Sequence, residues 1–192
     1  MTVVLSVPAT GPAPALRLRP WRPADLPALV AAHRDPLLRR RLATSLTGEA
    51  EAGQWLDAQT AGWVTATRFS FAVTADADDR TPLGHVVVKV GSAEMAEVGY
   101  WTAAHARGQG VATRVTDTVS QWALDTQDMV VLTRLDLVHA VDNQWSCRVA
   151  VKCGYVLRDL LPAAPPAFPA DGHRHVRTAA GHVLASASGD VG

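Results

Sequence analysis

The stretch "AEVGYWTAAHARGQGVATRVTDTVSQWALD", residues 96–125, decides the fold. Its opening, "AEVGYW", reads as a strand; after Gly110 the apolar residues return at helical spacing, and the turn "ARGQGVAT" (106–113) lies between. A helix that begins at a glycine-rich turn presents unpaired backbone N–H groups and the positive end of its dipole, which together make an anion site. Gly108 and Gly110 let the backbone approach the anion with no Cβ in the way, and Arg107 adds a charged donor. Phosphate is the guest such a turn suits. Two phosphate loops are excluded: no lysine follows Gly110, as a P-loop requires, and Thr113 stands where a dinucleotide fingerprint needs a third glycine.

Outward from this unit the periodicity switches repeatedly. "ALRLRPW" alternates like a strand, "PADLPALVAAH" follows with helical spacing and Pro23 near its first turn, and Thr47 with Glu49 and Glu51 opens a second helix through "EAGQWLDAQTAGW". "RFSFAVTA" and "PLGHVVVKVG" flank the polar turn "DADDR" and read as an antiparallel pair. Beyond the central unit come a buried-type strand, "VVLTRLDLVH", a helix, "NQWSCRVAVKCG", a strand, "YVLRDLL", a Pro-rich loop, "PAAPPAFPADG", and a last strand, "HRHVRTAA". The sum is one α/β (α+β) domain over residues 15–186 with a mixed sheet of about seven strands flanked by helices. The Pro/Ala-rich lead, 1–14, and the tail, 187–192, are expected to be disordered.

Eighteen basic residues balance eighteen acidic ones, so no global field draws the chain to nucleic acid or to a membrane. The partner is expected to be small. Seven arginines crowd residues 1–41, but without interleaved aromatics they read as a solvated face. The start lacks a basic region before its apolar run, no segment reaches membrane-span length, and two cysteines six residues apart suit neither a disulfide nor zinc. A reducing, cytoplasmic setting fits these features.

The turn "Arg107-Gly108-Gln109-Gly110-Val111-Ala112" resembles the Arg/Gln-x-x-Gly-x-Gly/Ala loop of the GNAT superfamily of N-acetyltransferases, and "EVGYW" resembles the strand before it. Further on, Asn143, Ser146, Val149, Ala150 and the run Lys152-Cys153-Gly154-Tyr155 are similar to the second signature of the RimJ/RimL branch, which acetylates ribosomal-protein N-termini and small amines. This resemblance implies acetyl-CoA as acetyl donor, bound in a V-shaped split between two central strands. Its pyrophosphate would rest on the amides of Arg107, Gly108, Gln109, Gly110, Val111 and Ala112. Its pantetheine arm would pair like an added strand with Tyr100, Trp101 and Thr102. Asn143 and Ser146 would lie by the thiol.

Acetyl transfer to an amine needs a neutral nucleophile, a polarised thioester and a leaving thiolate. Glu97 is the candidate general base through water, with Glu94 as its neighbouring competitor. A backbone N–H between Val98 and Tyr100 could polarise the carbonyl. Ser146 could donate to the leaving sulfur or merely bond to a preceding helix carbonyl. Relatives in other branches carry a tyrosine acid seven positions after the asparagine, where this chain has Ala150. The acceptor is expected to be a primary amine, either a protein or peptide N-terminus or a small molecule; a homodimer is left open. A non-catalytic CoA-binding or regulatory module is the alternative, and a nucleotide-binding protein a third.

Cys147 and Cys153 read as buried thiols and His139 as a core residue. His173 and His175 could share a strand face, but no third ligand stands near them in sequence, so no metal is expected. Trp55, Trp63 and Trp145 are candidates for an acceptor pocket. The chain departs from the RimJ/RimL pattern after Tyr155, where the Pro-rich segment replaces an acidic-glycine turn, and in "HRHVRT", which lacks the usual aspartate.

Overall fold

The computed structural model describes residues 3–180, apart from 43, 45 and 167. Eight strands form one sheet in the order β1-β2-β3-β4-β5-β6-β8-β7. In chain order they are β1 (Leu5–Val7), β2 (Leu16–Pro20), β3 (Arg68–Ala75), β4 (Gly84–Val90), β5 (Met95–Thr102), β6 (Arg134–Ala140), β7 (Val156–Leu161) and β8 (Gly172–Thr178). The helices are α1 (Leu26–His33), the single turn α2 (Pro36–Arg39), α3 (Glu49–Val64), α4 (Val111–Gln121) and α5 (Gln144–Lys152). Every neighbouring pair is antiparallel except β5 and β6.

Strand alternation assigns each face of the sheet its own core. Phe69 and Phe71 of β3, Val86 and Val88 of β4, and Ala96 and Val98 of β5 meet Val111, Val115 and Val119 of α4. On the opposite face Ala72 and Trp101 pack with Trp21, Leu29 and Leu56 beneath α1 and α3. Both faces are covered at the middle of β4, which is why Val86, Val87 and Val88 are apolar in succession rather than alternating.

The one parallel contact shapes the site. β5 and β6 pair only from Met95–Arg134 to Glu97–Asp136, yet β5 runs on to Thr102 and β6 to Ala140. Past Glu97 they diverge, so the sheet holds the expected V-shaped split.

Three expectations are corrected. Residues 5–7 of the lead are not disordered: they pair with β2 as an eighth strand, and Arg114 of α4 donates to the carbonyls of Pro8 and Pro14 at 2.6 and 2.8 Å. The N-terminal arginines are not all solvated, because Arg19 is 1% exposed and meets both carboxylate oxygens of Asp25 at 2.7 and 2.9 Å. β6 begins at Arg134, after the apolar residues 130–133 that the sequence placed in the same strand. The predicted tail and the last residues of the predicted domain lie outside the described residues.

Candidate functional site

The turn between β5 and α4 has the geometry an anion site needs. Gly108 and Gly110 adopt φ of +77° and +72°, and a Cβ on either would meet nothing within 4 Å. Left-handed backbone of this kind favours glycine, and the space beside both glycines is open. The first helical bond of α4 runs from Arg114 N–H to Gly110 C=O, which leaves the N–H groups of Val111, Ala112 and Thr113 without helical acceptors. Val111 is buried and anchors the turn to the core.

The side chains of the turn face elsewhere. Arg107 donates from Nε to the Thr102 carbonyl at 3.2 Å and forms an ion pair with Asp35, which lies between α1 and α2. Its guanidinium therefore braces the end of β5 against the helical layer. Gln109 folds back to donate to the His105 carbonyl at 3.0 Å. The backbone N–H groups at the start of α4 remain open as anion donors.

Across the split, Asn143 caps α5 and joins Ser146. The Asn143 side-chain NH2 donates to Ser146 Oγ at 2.9 Å, and the Ser146 N–H donates back to Asn143 Oδ1 at 3.3 Å. Tyr100, on β5, donates its hydroxyl to the same Ser146 Oγ at 3.0 Å. Burial pushes the Tyr100 phenol up to about 12, against a smaller lowering by Ser146. A serine oxygen accepts two hydrogen bonds and donates one. With both acceptor positions filled by Tyr100 and Asn143, and no hydroxyl bond from Ser146 to a helix carbonyl among the described residues, its proton is free to be donated to a ligand.

Glu97 points to the other face of β5, the face of Trp101, and accepts from Lys89 Nζ of β4 at 2.7 Å; both side chains are about two-fifths exposed. Glu94 lies in the tight β4–β5 turn with φ of +57°, one residue before β5 begins. Trp101 is buried with Trp21, Trp55 and His85, whose Nδ1 accepts from Trp21 Nε1 at 2.9 Å. Of the three pocket tryptophans, Trp55 joins this cluster, Trp63 packs between Phe69 and Phe71, and Trp145 is exposed beneath Arg148.

Two features were not foreseen. The Tyr100 side chain, expected only to lend its backbone, reaches Ser146; the β5 alternation that aims even positions toward α4 carried that signal. The second corrects the expectation that His173 and His175 have no third ligand: His139, Cys147, His173 and His175 each bring one ligand atom within 4.8 Å of all the others. Cys153, by contrast, is a buried thiol that donates to the Thr113 carbonyl, and burial pushes it up to about 12.

No helix among the described residues is long and apolar enough to cross a membrane. Residues 15–156 match the model of the acetyltransferase (GNAT) domain. No curated protein matches the chain. Among solved structures, the ribosomal alpha-N-protein acetyltransferase RimL in complex with coenzyme A superposes with a TM-score of 0.76 at 17% identity, covering 91% of this chain and 98% of that one. RimJ of Mycobacterium smegmatis, in complex with a CoA disulfide, gives 0.74 at 20% identity over 92% and 87%. A GNAT-family acetyltransferase of Bacillus anthracis gives 0.73 at 16% identity over 91% and 98%.

Proposed function

The chain belongs to the acetyltransferase (GNAT) family, and from that premise we propose that it transfers the acetyl group of acetyl-CoA to a primary amine by direct attack within the β5–β6 split. The observation that carries the reading is the Tyr100–Ser146–Asn143 bridge across the split, which leaves one hydroxyl proton undirected. The coenzyme A bound to RimL and RimJ supports the choice of donor.

In this reading the pyrophosphate rests on the amides of residues 107–112, and the pantetheine amides exchange ladder bonds with the free edge of β5 at Tyr100, Trp101 and Thr102. The amine nitrogen attacks the thioester carbonyl carbon, a nitrogen–carbon bond forms, and the carbon–sulfur bond breaks. The amine's surplus proton passes through water to Glu97, and Ser146 donates toward the leaving thiolate. Lys89 bonds the Glu97 carboxylate at 2.7 Å on the Trp101 face of β5, the face this reading gives to the acceptor.

An α-amino group titrates near 7.7–8.0 and a lysine amine near 10.4, so at neutral pH the former is neutral more often by roughly 2.5 units. A site with one carboxylate acting through water suits that easier nucleophile. The preferred acceptor is therefore a protein or peptide N-terminus rather than a polyamine or an aminoglycoside.

The test is release of coenzyme A thiol from acetyl-CoA in the presence of peptides with free or blocked N-termini, polyamines and aminoglycosides. Free-terminus peptides should turn over and blocked ones should not. Glu97→Gln should lower kcat about 10²-fold with little change in CoA affinity. Turnover of a small amine alone would remove the N-terminus and keep acetyl transfer. CoA binding with no turnover of any amine would favour a non-catalytic module.

A further inference from the structure

The geometry points to a zinc site formed by His139 of β6, Cys147 of α5, and His173 and His175 of β8. The proposal is independent of the acetyl-transfer reading.

Strand pairing assembles the ligands. In the antiparallel β6–β8 ladder His139 stands opposite His173, and Leu137 opposite His175. Residues two apart on a strand share a face, so the three imidazoles crowd one patch, with ring centroids 5.2 to 6.0 Å apart. The first turn of α5 lays Cys147 over them. Its Sγ is 3.2 Å from His173 Nδ1 and 3.6 Å from His175 Nε2.

These separations are those of a tetrahedral centre. With zinc–sulfur at about 2.3 Å and zinc–nitrogen at about 2.0–2.1 Å, a tetrahedral angle places sulfur and nitrogen about 3.5 Å apart. The longest ligand separation, 4.8 Å at most, closes by roughly 1.4 Å to reach the same geometry. Three imidazoles with one thiolate are a donor set zinc favours, and four protein ligands leave no open position, so the site is structural.

The outer contact of His139 agrees. His139 Nδ1 lies 2.9 Å from the Ala140 carbonyl. A carbonyl only accepts, so Nδ1 carries the proton and Nε2 keeps its lone pair. That Nε2 is buried and has no hydrogen-bond partner among the described residues, which leaves its lone pair available to a cation. Cys147 and His173 are partly exposed, which gives an entry path. Zinc here would fasten the start of α5 to the β6–β8 ladder, one residue from Ser146.

The test uses the full chain with cobalt or zinc as the probe. Cobalt should give a thiolate-to-metal charge-transfer band and tetrahedral ligand-field bands at one equivalent, and zinc should abolish them. Cys147→Ser should remove the charge-transfer band. His173→Gln, at the more exposed histidine, should weaken zinc by more than about 100-fold, above what loss of an outer-shell partner costs. Zinc should also slow alkylation of Cys147 by about tenfold or more, since a metal-bound thiolate is a poor nucleophile, with buried Cys153 as internal control. No cobalt spectrum, an unchanged spectrum in His173→Gln, or alkylation indifferent to zinc would each overturn the site.

Discussion

Ser146→Ala separates the structural and chemical duties of the bridge across the split. The substitution strips the acceptor from the Tyr100 hydroxyl and from the Asn143 amide, at 3.0 and 2.9 Å in the intact protein. A buried donor left without a partner costs about 1–3 kcal/mol. Both donors are partly buried, so each carries a share of the penalty, about 2 kcal/mol in all. Tyr100→Phe removes the donor itself and leaves Ser146 bonded to Asn143, at a cost of about 1 kcal/mol or less. The double variant leaves no orphaned phenol, so its loss should fall short of the sum by about 1 kcal/mol. Urea unfolding reads these values, and each kcal/mol should appear as about 2–4 °C in Tm for a chain of this length. Thiol release should show kcat about 10²-fold lower in Ser146→Ala, the cost of deleting one donor to developing charge, with CoA affinity nearly unchanged. Stability losses that add within about 0.3–0.5 kcal/mol, or an undiminished kcat, would refute the bridge as described.

Asp25→Ala strands Arg19, which is 1% exposed, and should cost about 3–5 kcal/mol, whereas loss of the exposed Arg17–Asp76 pair should cost less than about 1 kcal/mol; equal effects in thermal unfolding would contradict the burial argument. His85 accepts from Trp21, and burial lowers its pKa from 6.5 to about 3. The unfolded chain thus takes up a proton that the folded one refuses, so this contribution is complete above pH 6.5 and is lost as pH falls toward 3, at about 1.4 kcal/mol per unit. His85→Gln should flatten the stability slope between pH 6 and 4, and an unchanged slope would remove His85 as its source. Gly110→Val should weaken CoA by more than about tenfold in calorimetry through the blocked approach to the turn. Gly154→Ala, at another left-handed position, carries comparable backbone strain and should leave CoA affinity alone; equal affinity in both would unseat the anion turn.

The sequence made local features legible and left long-range ones hidden. β3 coincides with "RFSFAVTA" because aromatic and β-branched residues alternate between polar turns, and the cap at Asn143 follows from residue type alone. β1 escaped detection because three residues ahead of Pro8 carry too little pattern; its pairing depends on β2 and on Arg114. Arg19 read as solvated because its carboxylate partner becomes a partner only once the chain turns into α1. The zinc ligands come from three elements, and only the β6–β8 register, set by the whole sheet, brings His139 opposite His173.

The brevity of the β5–β6 ladder has a consequence for where the molecule is softest. In most sheets the middle strands exchange their amide hydrogens last, because both edges are paired. Here the two strands at the parting have one unpaired flank each beyond Glu97 and Asp136, in the middle of the sheet. Amides of β5 directed into the wedge should therefore exchange like those of an outer strand, while their alternates, bonded to β4, stay protected. A bound extended molecule that supplied the missing ladder would reverse this, and the greatest gain in protection would come in the middle of the protein rather than at its rim.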